Sequence, residues 1–484
     1  MKNESFYITT TLPYVNAEPH IGFALEIVTA DVIARFHRSL GKNVLFNTGT
    51  DEHGQKIYDR SVLEKMDPQA FVDFHAKQFS VLQKQLNLTY DQFIRTTDPK
   101  HTSAAQVFWQ RCFEHGYIYK NQYQTSYCVG CELEKQASEL VDGHCPLHPK
   151  QDIEVREEEN YFFKFSAFQQ PLLDLYKAQP DFVKPEGKMR EIESFVAGGL
   201  TDFSISRLKT KMSWGIPVPN DSEHVMYVWF DALVNYISTL GWPDDLNAFT
   251  QFWPVVQIAG KDNLRQQAAM WQAMLLAAQL PPSKQILING FISIGGQKMS
   301  KSIGNVISPQ EMTQRYGTDG TRLLLILLGP IANDMDVTWD RFDELYTSVL
   351  SNGFGNLCSR IAKLASQIDL TQLHSSGAVE STTTYNDQFL LALQEFDIQA
   401  ATNWLIETIQ QTDAFLSENK PWLADKKNKE LLVSQAIIKL LSLAFHMTIF
   451  MPEVSNVVTQ HFSQPSVTAL PPLFPRLNPD PTHV

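Results

Sequence analysis

The chain has 484 residues, 43% of them hydrophobic, which is enough for about three cores at roughly 100 to 200 residues per domain. It holds no run of about 18 uninterrupted apolar residues, and its first residues, MKNESFYITT, lack the basic and apolar regions of a signal peptide, so a soluble cytoplasmic protein with no membrane partner is expected. A formal charge of -13 excludes a protein that coats nucleic acid nonspecifically, but leaves room for one local basic groove.

In chain order, residues 6–12 alternate as a strand, residues 22–40 carry apolar side chains at helical spacing up to Gly41, and residues 43–48 read as a second strand. Strand, helix and strand in so short a stretch predict a βαβ unit with parallel strands and a right-handed crossover. Residues 116–200 are rich in Cys, Gly, charge and short strand-like stretches such as NYFFKF, as expected of a small inserted domain. The first pattern then returns, with strands at 254–258 and 285–289 flanking a helix at 264–280. The predicted fold class is therefore α/β, a doubly wound parallel sheet split by an insertion. From about Ile331 the texture is helical, with long runs at 340–367, 386–417 and 429–447 that predict an all-α bundle. Residues 374–384 read as a loop, and the Pro-rich end from Gln464 as a tail packed over the surface.

Five cysteines are present, and three of them, Cys128, Cys131 and Cys145, fall within eighteen residues. Cys128-x-x-Cys131 followed by Cys145-x-x-His148 makes two chelating pairs of soft ligands, which suits a closed tetrahedral Cys3His site for one structural Zn2+. His144 remains a competing ligand. Cys112 and Cys358 lie on apparent helices and read as small core residues.

Pro19-His20-Ile21-Gly22 stands where the first strand gives way to the first helix, the place where unpaired helix N–H groups meet phosphate. There Gly22 lets the backbone approach a nucleotide and His20 offers a donor, although a His-x-Gly at this point also serves as an ordinary helix cap. Later, Gly295-Gly296-Gln297-Lys298-Met299-Ser300-Lys301-Ser302 follows a strand, placing two lysines on a glycine-hinged loop able to close over a triphosphate.

His20-Ile21-Gly22 and Lys298-Met299-Ser300-Lys301-Ser302 resemble the HIGH and KMSKS signatures of class I aminoacyl-tRNA synthetases. Leu12-Pro13-Tyr14-Val15-Asn16, Thr48-Gly49-Thr50-Asp51-Glu52-His53-Gly54, Trp214-Gly215-Ile216-Pro217-Val218-Pro219 and Tyr227-Val228-Trp229-Phe230-Asp231-Ala232 are similar to segments of the bacterial methionyl-tRNA synthetases. The resemblance implies a Rossmann catalytic domain in two halves, 1–115 and 201–295, and a zinc-bearing connective insertion at 116–200. It further implies the KMSKS loop with a stem-contact fold at 296–340, and a helical anticodon-binding domain at 341–484. It also implies ATP with Mg2+, an amino acid and a tRNA as partners, with an aminoacyl-adenylate as intermediate.

By the same resemblance His20, Lys298 and Lys301 are catalytic, and Gly22, Glu26, Gly260, Asp262 and Ile292 join His20 and Lys301 around ATP. Asp51 is placed on the substrate α-amino group, where an ammonium needs a carboxylate. Leu12, Tyr14, Trp229, Ala232, Tyr236, Gln266 and Gln267 are placed around its side chain. Asn356, Arg360 and Trp422 become candidate anticodon contacts, with Trp422 equally readable as a core anchor.

The departures from the family pattern are specific. Phe23 stands where the first signature ends in a second histidine, removing one hydrogen-bond donor toward phosphate. Gln266 and Gln267 stand where the family has an aromatic-histidine pair, and Gln272 replaces a typical proline. At helical spacing Gln266 aligns with Met270, Ala273 and Ala277, and Gln267 with Trp271, Met274 and Ala278, so both amides are expected to face inward. Three functions stay open at this point: a methionyl-tRNA synthetase with an unusual pocket, a paralogue that activates a more polar amino acid for tRNA or another acceptor, and a tRNA-binding protein without turnover.

Overall fold

The computed structural model describes residues 4–477 except 17, 129–132, 136–139, 142, 147–148, 150–151, 291, 299–305, 330–333, 372, 374–378 and 380–381. Six strands form the central sheet: β1 (Ser5–Thr9), β2 (Asn43–Thr50), β3 (Gln92–Arg95), β4 (Val183–Lys184), β5 (Val256–Gly260) and β6 (Gln285–Asn289), in the order β3-β2-β1-β5-β6-β4. All five pairings are parallel. Parallel sheets are buried on both faces, and β1 shows how. Phe6 and Ile8 point into one core while Tyr7 points into the other. The strand order reverses between β1 and β5, which opens a crevice at their carboxyl ends.

The crossover from β1 to β2 is α1 (Ile21–Ser39). A Cβ at Gly49 would stand 1.8 Å from the Ile94 carbonyl oxygen, so β2 can lie this close to β3 only with glycine there. The predicted strand at 6–12 stops at Thr9, and the chain beyond leaves the sheet to line the crevice. Val183–Lys184, inside the segment expected to be an insertion, adds the edge strand to the central sheet. Two residues carry no periodicity by which to be recognised.

A separate antiparallel sheet joins Leu133–Lys135, Ile118–Cys128, Glu154–Phe163 and Phe203–Ser204, its central pair running in register from Ile118 opposite Phe163 to Tyr127 opposite Glu154. The expected lysine loop begins as a hairpin. Ile292–Ile294 turns back into Gln297–Lys298 through Gly295 and Gly296, which have φ of 60° and 74°, as a tight two-residue β-turn requires. The glycines are therefore turn residues, not a free hinge.

The C-terminal part is helical. The run expected at 340–367 forms Trp339–Leu345, a wide turn at Tyr346–Gly355, and α3 (Asn356–Ala365), following α2 (Pro309–Leu328). The run expected at 386–417 is broken: Asp387–Gln394 and α4 (Ile398–Asn419) are separated at Phe396, with φ of 60°, and Asp397 caps the second helix through the Ala400 N–H. Apolar spacing continues across this break, which hides it from periodicity. Among the described residues one helix, α5 (Lys426–Met447), is long and apolar enough to cross a membrane, but here Val433, Ala436, Ile437, Leu440 and Leu443 are buried in the bundle.

Arg322 fastens α1 to this bundle. It is fully buried on α2, its Nη2 lies 2.8 Å from Asp31 Oδ2 of α1, and it donates to the carbonyls of Leu86, Ile449 and Phe450. Asp31 also accepts from Arg35 and from the Thr89 N–H and hydroxyl. Burial acts to raise the Asp31 carboxyl, and the two guanidiniums outweigh it and hold the group below its usual range. Arg322→Leu should lower the unfolding free energy in urea by about 3 kcal/mol, because it removes one of two guanidiniums from a buried carboxylate and leaves three carbonyls without their donor, and Asp31→Leu added to it should recover part of the loss. An unchanged urea midpoint in the single variant would contradict this role.

Candidate active site

Two cavities open along the crevice. The first, of about 350 Å³, lies between the start of α1 and the ends of β5 and β6, and is lined by His20, Gly22, Glu26, Gly260, Asp262 and Ile292. The second, of about 190 Å³, is lined by Leu12, Tyr14, Asp51, Trp229, Ala232, Tyr236, Gln266 and Gln267. Thr11, Pro13, Tyr14 and Asn263 line both, so the chambers share a wall. These residues thus gather into two groups, one in each chamber. Lys301, Cys131 and His148 lie outside the described residues. Lys298 and Cys128 are placed by their backbone alone, in Gln297–Lys298 and at the end of Ile118–Cys128.

His20 is the N-cap of α1, its Nδ1 accepting the Gly22 N–H at 3.0 Å. The capping and ligand-facing readings are therefore compatible: with Nδ1 accepting, the neutral ring carries its proton on Nε2, a donor. Phe23 packs edge-on against Phe79 at 5.6 Å, and both line the first chamber, making an apolar wall beside the helix terminus. Glu26 accepts from the Thr11 N–H at 2.7 Å and its hydroxyl at 2.6 Å. Burial pushes its carboxyl up to about 7, against those bonds and one from the Gly260 backbone.

Asp51 is 4% exposed and has no ion-pair partner among the described residues. Burial first, then the neighbouring charges of Asp231 and Glu52, raise its carboxyl well above the usual range. Those neighbours have hydrogen-bond partners of their own. Asp231 lies 2.7 Å from His53 Nδ1 and 2.8 Å from His101 Nε2; burial would raise its carboxyl, and the two imidazoles hold it low. Glu52 is clamped by the Arg95 guanidinium at 2.6 and 2.8 Å. Asp51 alone is left to meet a cation, and a ligand ammonium would relieve that cost.

The wall opposite is built of amides. Gln257 Nε2 donates to Gln267 Oε1 at 2.7 Å, Ser283 Oγ donates to Gln257 Oε1 at 2.5 Å, and Gln272 Nε2 donates to the Gln267 carbonyl at 2.7 Å. The Tyr236 phenol, pushed up by burial, touches Gln267, Gln257 and Asn235. Gln272, for which sequence gave no consequence, thus braces Gln267. The expected helix at 264–280 begins as a wide turn over Gln266–Met270 before regular helix at Trp271–Ala277, and both glutamines reach the chamber.

Sequence reasoning missed Asn263, Asn235, His101 and Asn289. Both amide atoms of Asn289 are buried without a hydrogen-bond partner, and the residue lines the first chamber, where a polar ligand would satisfy it. Asn263 sits beside Asp262 in a segment already singled out; no sequence signal links His101 to Asp231. In the helical part, Asn356 is exposed, Arg360 is ion-paired with Asp413 of α4, and Trp422 is 47% exposed, which excludes it as a core anchor.

A doubly wound sheet with a helix-capped chamber and an adjoining acidic pocket at its switch point defines a nucleotide-dependent enzyme fold. The sequence profile of "tRNA synthetases class I (M)" matches residues 6–152 and 131–362. The methionine–tRNA ligase of Synechocystis sp. is 37% identical over 476 residues, covering 95% of this chain and 89% of its own. That of Streptomyces coelicolor is 36% identical over 494 residues, covering 96% and 91%. Mycobacterium tuberculosis methionyl-tRNA synthetase in complex with methionyl-adenylate superimposes with a TM-score of 0.84 at 31% identity, over 99% of both chains. The chain belongs to the class I tRNA synthetases, in their methionyl-tRNA synthetase family.

In the unfolded chain Glu26 titrates near 4.5, and in the folded ligand-free protein near 7. The folded state holds the extra proton between those values, so this residue's contribution to stability falls as pH rises through that window, by about 3 kcal/mol. Glu26→Gln lacks that loss, and its stability relative to the parent should increase between pH 4.5 and 7. A pH-independent difference between the two proteins would contradict it.

Proposed function

We propose that this protein activates an amino acid with ATP, holds the aminoacyl-adenylate, and transfers the aminoacyl group to tRNA, as its methionine–tRNA ligase relatives are named for doing. The observation that carries this reading is Asp51, a buried carboxyl group with no counter-cation among the described residues, in a chamber that shares a wall with a helix-headed nucleotide chamber. Asp51 would hold the substrate α-ammonium, leaving its carboxylate to attack the α-phosphorus of ATP at the shared wall and expel pyrophosphate. His20 Nε2 and the N–H groups opening α1 would face the phosphates. Lys298 and Lys301 would answer the charge that grows on the leaving pyrophosphate, and Glu26, Gly260, Asp262 and Ile292 would border the nucleoside. Mg2+ accompanies the ATP and neutralises part of its charge.

The donor set Cys128, Cys131, Cys145 and His148 fits zinc by its chemistry, and Cys145 is buried, as a structural ligand would be. These residues would fix the tip of the antiparallel insertion. The exposed Asn356 and Trp422, with Arg360 one turn beyond Asn356, would take unstacked anticodon bases, and the protein would work in the cytoplasm. The binding-only reading is disfavoured by Asp51, whose uncompensated burial has no use in a surface that grips tRNA alone.

Asp51→Asn should cut the kcat/KM of amino-acid-dependent ATP–pyrophosphate exchange by about a hundredfold, mainly through the KM for amino acid. Lys301→Ala should act instead on kcat, because its partner charge develops in the transition state. Exchange at the parent rate in both variants would refute the assignment.

A further inference from the structure

The hairpin that carries the first of the two lysines is held from outside itself. Its leading strand, Ile292–Ile294, pairs in parallel with Met335–Val337, which places Ser293 beside Asp336. Asp336 Oδ1 accepts the Gly296 N–H at 2.8 Å and the Ser293 hydroxyl at 3.0 Å, so one carboxylate oxygen clasps both the turn and the strand that leads into it. Two residues earlier, Asp334 pairs with Lys261, which stands between Gly260 and Asp262 of the first chamber. The segment 334–336 thus reaches from the nucleoside border of that chamber to the turn of the hairpin. Ile292, on the leading strand, lines the same chamber, while Asp336 is not among the described residues that line either one.

We infer that Asp336 is a positioning residue for adenylate formation: by clasping the turn at Gly296 it sets where the hairpin delivers Lys298 and Lys301 against the nucleotide chamber. This rests on the activation reading above. Lys298 is the partner of Ser293 across the hairpin, and Lys301 follows three residues later in the chain, so a turn free to shift passes its displacement to both. Such a displacement is costly to the rate, because a cation that answers charge developing on pyrophosphate must stand in place before that charge appears. Asparagine at position 336 keeps an acceptor oxygen for the two donors, and alanine keeps none.

The test measures methionine-dependent ATP–pyrophosphate exchange in the full chain and in Asp336→Ala, Asp336→Asn, Lys301→Ala and the Asp336→Ala, Lys301→Ala pair, with equilibrium dialysis of labelled methionine alongside. Asp336→Ala should lower the maximal rate by about tenfold while methionine binding stays within about twofold of the parent, and Asp336→Asn should restore most of the rate. The pair should fall within about twofold of Lys301→Ala alone, since a residue that acts through the lysine has nothing left to position, whereas a general loosening of the fold would multiply with the lysine loss. If Asp336→Ala does not fold, Ser293→Ala removes one of the two donors and decides by the same comparisons, with a loss of about threefold expected. A parent-like rate in the alanine variant, an equal loss in dialysis, no recovery with asparagine, or multiplied losses in the pair overturns the inference and leaves activation standing. A parent without exchange sinks the activation reading and this inference with it.

Discussion

Asp51 is a carboxyl group folded into a cavity with no cation beside it among the described residues, and burial and its acidic neighbours raise it well above the usual carboxylate range. Each neighbouring acid has partners of its own, Asp231 in His53 and His101, and Glu52 in Arg95, and among the described residues no cation pairs with Asp51. Glycine at position 49 lets β2 run close against β3 just before the carboxylate, and paired backbone bonds tie Asp51 to the segment after β1: its N–H donates to Pro13 and its carbonyl accepts from Val15. The carboxylate is thereby fixed at the reversal of strand order, where the nucleotide chamber begins. Ionising a carboxyl buried in this way costs free energy, and a ligand cation that supplies the partner lowers that cost.

The helix that heads the nucleotide chamber is held from its far side. Arg322 joins α1 to the C-terminal bundle through Asp31 and three backbone carbonyls, and one continuous apolar core runs from Ile27 and Phe36 of α1 to Leu350 and Phe389 of the bundle. The orientation of the α1 N-terminus therefore depends on helices that carry the candidate RNA-contact residues. This is a physical connection between the two regions.

The central βαβ units and the strand at Gln285–Asn289 were legible because parallel strands and an amphipathic helix leave local patterns, whereas the chamber-lining residues were legible only through the family resemblance. Other features leave none. Phe396 breaks a helix whose apolar spacing continues undisturbed, Val183–Lys184 is too short for any period, and the wide turns depend on tertiary packing. His101 reaches Asp231 from 130 residues away, a pairing that only the folded chain reveals. The glutamines were legible as inward-facing, but the bracing of Gln267 depends on Ser283 and Gln257, from two other segments.

The central claim, that this cavity pair makes an aminoacyl-adenylate, is tested most directly by trapping the intermediate. The full chain would be incubated with ATP, Mg2+, hydroxylamine and a mixture of the standard amino acids, and the hydroxamates and AMP identified by mass spectrometry. The account predicts one dominant aminoacyl hydroxamate accompanied by an equal amount of AMP, both lost when ATP is omitted. No hydroxamate, with ATP left intact, would contradict it.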